Sequence, residues 1–323
     1  MVLNTGISYL YDAGIYFIEK MSNNNVHIIN SIAELHRRFS LPAPEHPLVS
    51  VIDLKDMRIK KNGTTAASVA FNFYSIWLED DVQEKIRYGQ SYFDFDEGKM
   101  IFIAPKQVLF ATDHQQTNKG YGLIFHPDFI KGYPLAKAIK NYGFFSYAVN
   151  EALFLSKKEE ETIVSVLRTI MQEYRSHIDK YSQDVIVSHI EVLLNYSNRF
   201  YGRQFITRKN ANNNLLVQME SLLTDYFREK SLNKGLPTVQ YISKQLNVSP
   251  SYLSDMLREL TGQNTQQHIH NLLIEEAKEL LSVTTLSTSE IAYQLGFEYP
   301  QSFSRLFKQK TNLSPSDFRS SFK

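Results

Sequence analysis

The spacing of apolar positions changes twice along the chain, and each change marks a different kind of structure. Up to about residue 152 the apolar residues fall in short alternating or continuous runs at 48–54, 69–78, 92–95, 100–104 and 121–125. Such runs suit strands whose faces are buried. The turn formers Asn62-Gly63, Glu97-Gly98, Pro105, Lys119-Gly120 and Pro127 separate them. Several short strands at this spacing predict a small β-sandwich or roll over 1–152.

From Ser156 the period becomes helical. Ser156 and Glu159 have the spacing of a capping box, and Ile163, Val166, Leu167, Ile170, Met171 and Tyr174 recur on one face. Ser182 opens a second helix with Val185, Ile186, Ile190, Leu193 and Leu194 on its buried side. Joined near Asp179, the two predict a helical hairpin over 153–201. Its stripe can pack on the strands alone, or also against the same hairpin of a second subunit. Residues 202–214, GRQFITRKNANNN, are polar and asparagine-rich and predict a linker.

Residues 215–323 read as helices with their caps written in. An amphipathic helix over 215–228 ends near Gly235 and Pro237, Thr238 caps the next, and Ser249-Pro250 opens a third that Gly262 closes. A longer helix over 266–281 follows. Ser289 then reads as the N-cap of a short helix carrying Ile291, Ala292 and Leu295, which Gly296 stops. Phe297 plugs the turn, Pro300 suits the first turn of the next helix, and Phe303, Leu306 and Phe307 make one face of that helix apolar. Asn312 ends it in the left-handed conformation, and Ser314-Pro315 opens another. The order is helix, tight turn, exposed polar helix, closing helix.

This module occurs twice. Ile242 to Val248 reappears as Ile291 to Phe297, displaced by 49 positions, and Leu253, Met256, Leu257 and Thr261 reappear as Phe303, Leu306, Phe307 and Thr311, displaced by 50. In the second copy the polar face carries Gln301, Ser302, Arg305 and Lys308, which can hydrogen-bond base edges and phosphates. Gln301 and Arg305 are four residues apart and share a face, which makes them candidate base readers. In the first copy the candidates are Ser251, Tyr252, Ser254, Asp255 and Arg258, with Ser251 matching Gln301 and Asp255 matching Arg305. Asp255 can accept from cytosine N4 in a groove, or it can pair with Arg258 three residues on.

Over 215–322 the chain resembles the DNA-binding domain of the AraC/XylS family of transcription regulators. Ile291, Ala292, Gly296, Phe297, Ser302, Phe303, Arg305, Phe307, Lys308, Ser314, Pro315 and Arg319 fall on the pattern of that family's second half. Asn312 stands for the usual glycine, and Leu273 stands near where the family usually has an arginine. The resemblance implies an α+β chain: an N-terminal cupin-like β-barrel or roll for sensing, a dimerising hairpin, and an all-α double helix-turn-helix domain for DNA. It also implies partners: double-stranded promoter DNA, RNA polymerase, a second copy of the chain as homodimer, and a small-molecule effector as a candidate.

Composition limits the alternatives. A formal charge of +1 means that any basic surface is local, as between residues 300 and 323, where Arg305, Lys308, Lys310, Arg319 and Lys323 oppose Asp317 alone. Arg199, Arg203, Arg208 and Lys209 form a second local cluster of positive charge before the helical domain, read either as such a basic surface or as a solvated linker. With 0 cysteines, disulfides and thiolate metal sites are excluded, and a cytoplasmic location is expected. No stretch is long and apolar enough to span a bilayer. His114 and His126 lack the HxH pattern with a downstream glutamate that metal-binding cupins show, so no cofactor and no enzyme activity are expected. The competing reading is a cupin-type metal-dependent enzyme with an accessory helical domain. Phe71, Phe73, Tyr74, Trp77, Tyr92, Phe93, Phe95 and Phe102 either line a small-molecule cavity or form plain core.

Overall fold

The computed structural model describes residues 26–57, 68–79, 87–88, 91–92, 98–110, 119–177, 179–229 and 235–322. His114, Phe93, Phe95, the turn at Asn62-Gly63 and Lys323 lie outside them. Packing divides the chain into two compact units, the second made of the residues from Tyr201 onward together with the short stretch Tyr88–Ser91.

The first unit is built on strands. Its main sheet holds β2 (Val49–Asp53), β4 (Tyr74–Glu79), β7 (Lys99–Ile103), β9 (Gly120–Phe125) and β10 (Leu153–Phe154), all antiparallel, in the order β10-β7-β4-β9-β2. A smaller sheet in the order β1-β3-β8 is made of β1 (His27–Ile29), β3 (Ser68–Phe71) and β8 (Val108–Phe110). Two further short strands, β5 (Arg87–Tyr88) and β6 (Ser91–Tyr92), pair only with each other and are divided between the units. Among the described residues the strands form open sheets and no closed barrel.

Alternation along the strands sorts side chains between two apolar layers. Ile52, Ile101, Ile103 and Ile124 of the main sheet join Ile29, Val69, Phe71 and Leu109 of the smaller one in a single core. Phe102, Phe144 and Phe145 pack together on another layer, with Phe102 and Phe144 centroids 4.4 Å apart. Phe71 and Phe73 stack at 5.2 Å and both are buried. The described aromatics that sequence left between cavity and core are thus largely core.

Apolar content alone suggested one strand over 69–78, but the chain turns a corner at Asn72. Its N–H donates to Ile29 O at 3.1 Å and its Nδ2 to Asn30 Oδ1 at 2.8 Å, so β3 and β4 belong to different sheets. Gly122 pairs opposite Trp77, and a Cβ there would lie 2.4 Å from the indole ring. Helix α1 (Ile32–Arg38) closes one edge of the core, α2 (Leu135–Ala138) lies in a run of short turns, and α3 (Lys157–Tyr174) packs on β2. The capping box of α3 forms as the sequence predicts, from Ser156 and Glu159. Helix α4 (Ser182–Thr207) begins where Asp179 Oδ1 accepts from the N–H groups of Tyr181 and Ser182.

The linker expected over 202–214 is helical instead. Helix α4 runs to Thr207 and α5 (Lys209–Glu229) starts two residues later. Asparagine is a weak helix former, but Asn212 is buried and its Nδ2 donates to Phe205 O at 2.7 Å, so tertiary contact overrides propensity. The second unit continues with α6 (Val239–Gln245), α7 (Pro250–Thr261), α8 (Thr265–Val283), α9 (Thr288–Gln294), α10 (Pro300–Thr311) and α11 (Pro315–Ser320). Its interior holds Ile242, Leu253, Met256, Leu257, Ile269, Leu273, Ala277, Ile291, Ala292, Phe303 and Phe307.

Candidate nucleic-acid interface

The duplication read in the sequence extends to individual hydrogen bonds. At the turn between α6 and α7, Val248 N–H donates to Ser243 O at 3.0 Å; between α9 and α10, Phe297 N–H donates to Ala292 O at 2.9 Å. Each turn has one residue in the left-handed region at the same place, Asn247 with φ 54° and Gly296 with φ 91°. Glycine is required at the second. A Cβ on Gly296 would come within 2.7 Å of the Gly235 carbonyl carbon.

The recognition helices end alike too. Gly262 and Asn312 are both left-handed C-caps, and the Thr261 and Thr311 hydroxyls each donate to a carbonyl one turn back at 2.8 Å. Their starts differ. Ser249 Oγ accepts from Tyr252 N–H and caps α7, whereas Tyr299 at the same place before α10 makes no side-chain cap. The short helix α9 is capped by Ser287 rather than Ser289. Ser287 Oγ accepts from Glu290 N–H while the Glu290 carboxylate accepts from Ser287 N–H. Those hydrogen bonds hold the Glu290 carboxyl below the usual carboxylate range.

On α10 the side chains divide cleanly between two faces. Phe303 and Phe307 are fully buried, and Phe297 packs against Phe303 with ring centroids 5.5 Å apart. Gln301, Ser302, Arg305 and Lys308 are exposed. Neither Arg305 nor Lys308 has a side-chain hydrogen bond or ion pair with a described residue. The other cations nearby are engaged. Lys310 Nζ donates to Asn271 Oδ1 at 3.0 Å, and Arg319 Nε donates to Leu281 O at 3.2 Å near the end of α8. Arg319 therefore turns inward, and its buried Nη2 has no partner among the described residues.

The first copy is tied down. Asp255 Oδ1 and Arg258 Nη1 are 2.6 Å apart, the pairing reading of Asp255. Ser254 Oγ lies 3.1 Å from Thr265 Oγ1 at the start of α8. Tyr252, a candidate DNA contact from its place in the repeat, is buried, its ring edge-on to Phe205 with centroids 5.2 Å apart. Its counterpart Ser302 is exposed. Ser251 remains part-exposed.

A sequence profile described as a helix-turn-helix domain matches residues 242–321, the span of both copies. By its C-terminal unit, the chain belongs to the AraC/XylS family. This AraC/XylS chain is 28% identical over 138 residues to the HTH-type transcriptional activator RhaS of Salmonella arizonae, covering 43% of its own length and 45% of the relative's. It thus spans under half the length of the curated relatives it matches. Among solved structures it is similar to the C-terminal domain of the two-component response regulator yesN of Fusobacterium nucleatum, at 31% identity over 31% of this chain and 95% of that one, with a TM-score of 0.27. It is also similar to the C-terminal domain of AraT, a response regulator from Geobacillus stearothermophilus, at 29% identity over 32% and 84%, with a TM-score of 0.28. These relatives lend no support to the enzyme alternative.

Leu273, near the family's usual arginine, is fully buried among apolar side chains. The AraC/XylS unit also holds residues that sequence spacing did not single out. His268 and His270 on α8 are half-buried, and burial pushes both imidazoles below their ordinary range. His268 Nε2 lies 2.8 Å from Thr261 Oγ1. Tyr293 and Tyr299 are exposed on the second module. Among the described residues no helix is long and apolar enough to cross a membrane.

Proposed function

We propose that the C-terminal unit reads double-stranded promoter DNA, with the second module supplying most of the affinity. The observation that carries this reading is the exposed, unpaired Arg305, one helical turn from the exposed Gln301. Arginine can pair bidentately with guanine and glutamine with adenine in the major groove, where a recognition helix fits. Ser302, Lys308 and the amides at the uncapped start of α10 contact phosphates. The first module tunes the choice of site through Ser251 and through the Asp255 and Arg258 pair, whose charges largely cancel. Two recognition helices held about 34 Å apart can enter successive major-groove faces of one duplex.

The N-terminal unit acts as a cupin-like sensor and dimeriser in this reading. Helix α4 turns Val185 and Val192 outward, with exposures of 37% and 40%, and Tyr181 just before it is 58% exposed. Val185, expected on the buried side, stands instead seven residues from Val192 on an apolar edge suited to a second copy. The bound protein then recruits or blocks RNA polymerase, and a small-molecule effector shifts how the DNA-binding unit is presented.

The test is a map of sites bound across the genome, followed by titration of a recovered fragment at rising salt. Counterion release requires affinity to fall steeply with salt. Salt-independent capture, or none, would favour a protein-interaction module whose helices never touch DNA.

A further inference from the structure

The two recognition helices end on opposite sides of one connector side chain. Asn271, on α8, donates through Nδ2 to Gln263 Oε1 at 2.7 Å, just past the C-cap of α7. Its Oδ1 accepts from Lys310 Nζ at 3.0 Å, in the last turn of α10. An ammonium can only donate, so the amide oxygen must face Lys310 and the amide nitrogen must face Gln263. Both ends of a single amide are thereby used in fixed and opposite senses, one of them charge-assisted. Other polar contacts tie α8 to one module at a time, Thr265 and His268 to Ser254 and Thr261 of the first and Leu281 O to Arg319 of the second, whereas Asn271 bonds to both.

We propose that Asn271 is a positioning residue: by joining Gln263 to Lys310 it sets the separation of α7 and α10, and with it the base-pair spacing of a two-part DNA site. The spacing half rests on the reading of these helices as DNA readers; the separation half does not. Lys310, held in this bridge, is withdrawn from the set of free phosphate contacts.

The absence of cysteine from the chain gives a direct measurement. Glu259 and Gln309 are exposed, occupy equivalent places in the two copies and lie outside the proposed DNA contacts. Glu259→Cys and Gln309→Cys in the full chain carry spin labels whose distance distribution is read without DNA. The expected result is a narrow distribution in the parent, a broadened or shifted one in Asn271→Ala and Lys310→Met, and a narrow one restored in Lys310→Arg, all at similar thermal midpoints. An unchanged distribution in both Asn271→Ala and Lys310→Met overturns the proposal, and if Asn271→Ala fails to fold, Lys310→Met alone decides. In a second arm, unlabelled wild-type chain selects a duplex from a random-sequence pool, and single base pairs are inserted between its two contacted halves. Wild type should discriminate against the insertion about tenfold more strongly than Asn271→Ala. Equal discrimination overturns the spacing half. Failure of wild type to select any duplex overturns the DNA reading and leaves the distance result standing.

Discussion

Asp255 and Arg305 hold the same place on the two recognition helices, yet Asp255 neutralises Arg258 at 2.6 Å while Arg305 is exposed without a described partner. Equivalent positions of the repeat thus present opposite electrostatics. Asp255→Asn removes a carboxylate that phosphates would repel and releases Arg258. The pair is solvent-exposed, so stability should change by less than about 1 kcal/mol. Affinity for arbitrary duplex should rise, and the slope of log affinity against log salt should steepen by about 1. Titration across a salt series checks this; an unchanged slope would mean that Arg258 stays away from phosphates.

Gly296 faces the backbone of Gly235 too closely for any side chain. Gly296→Ala should lower stability by about 1–3 kcal/mol, since it adds left-handed strain to a backbone clash. Asn247→Gly, at the equivalent turn with φ 54°, should change little. Thermal unfolding of the two variants side by side distinguishes a requirement for glycine from a general intolerance of the turns.

Tyr252 and Phe205 share one edge-on contact, so Tyr252 matters to folding before it matters to DNA. Tyr252→Ala should cost about 3–5 kcal/mol, the usual penalty for emptying a buried aromatic site. The double variant with Phe205→Ala should cost clearly less than the sum of the two single changes. Strict additivity would deny that the rings stabilise each other.

His268 and His270 give the C-terminal unit an acid-sensitive element. Burial is the leading cause that lowers both, with Glu220 opposing it at His268 and Lys310 adding to it at His270. A folded-state value below the unfolded one means that the unfolded chain binds protons first. The stability these neutral rings contribute is complete above the ordinary imidazole value of about 6.5 and declines as the pH falls through and below it. The double variant His268→Asn, His270→Asn should lose less stability than wild type between neutral and mildly acid pH. Equal losses would place the sensitivity elsewhere.

The C-terminal unit was legible because its signals are local. A glycine that stops a helix, a Ser-Pro pair that opens one, and phenylalanines at helical spacing act within a few residues, and the repeat let each copy check the other. Ser287 displaced Ser289 as the cap of α9 because Glu290 completes a box with Ser287, a signal present in the sequence two positions earlier. What could not be read depended on distant partners. Tyr252 is covered by Phe205, 47 residues before it in the chain, and Asn72 turns the strand by bonding Asn30. The bridge from Asn271 to Lys310 belongs to the same class, since neither residue's own neighbourhood announces it.

The most direct test of a DNA-reading second module is a titration of wild type, Arg305→Ala and Gln301→Ala against one fragment and its single-base variants at fixed salt. Arg305→Ala should lose about 1–3 kcal/mol of binding and relax its choice at one base pair, with Gln301→Ala relaxing a neighbouring one. Wild-type binding by Arg305→Ala, together with failure of Ser251 or Asp255 variants, would contradict it.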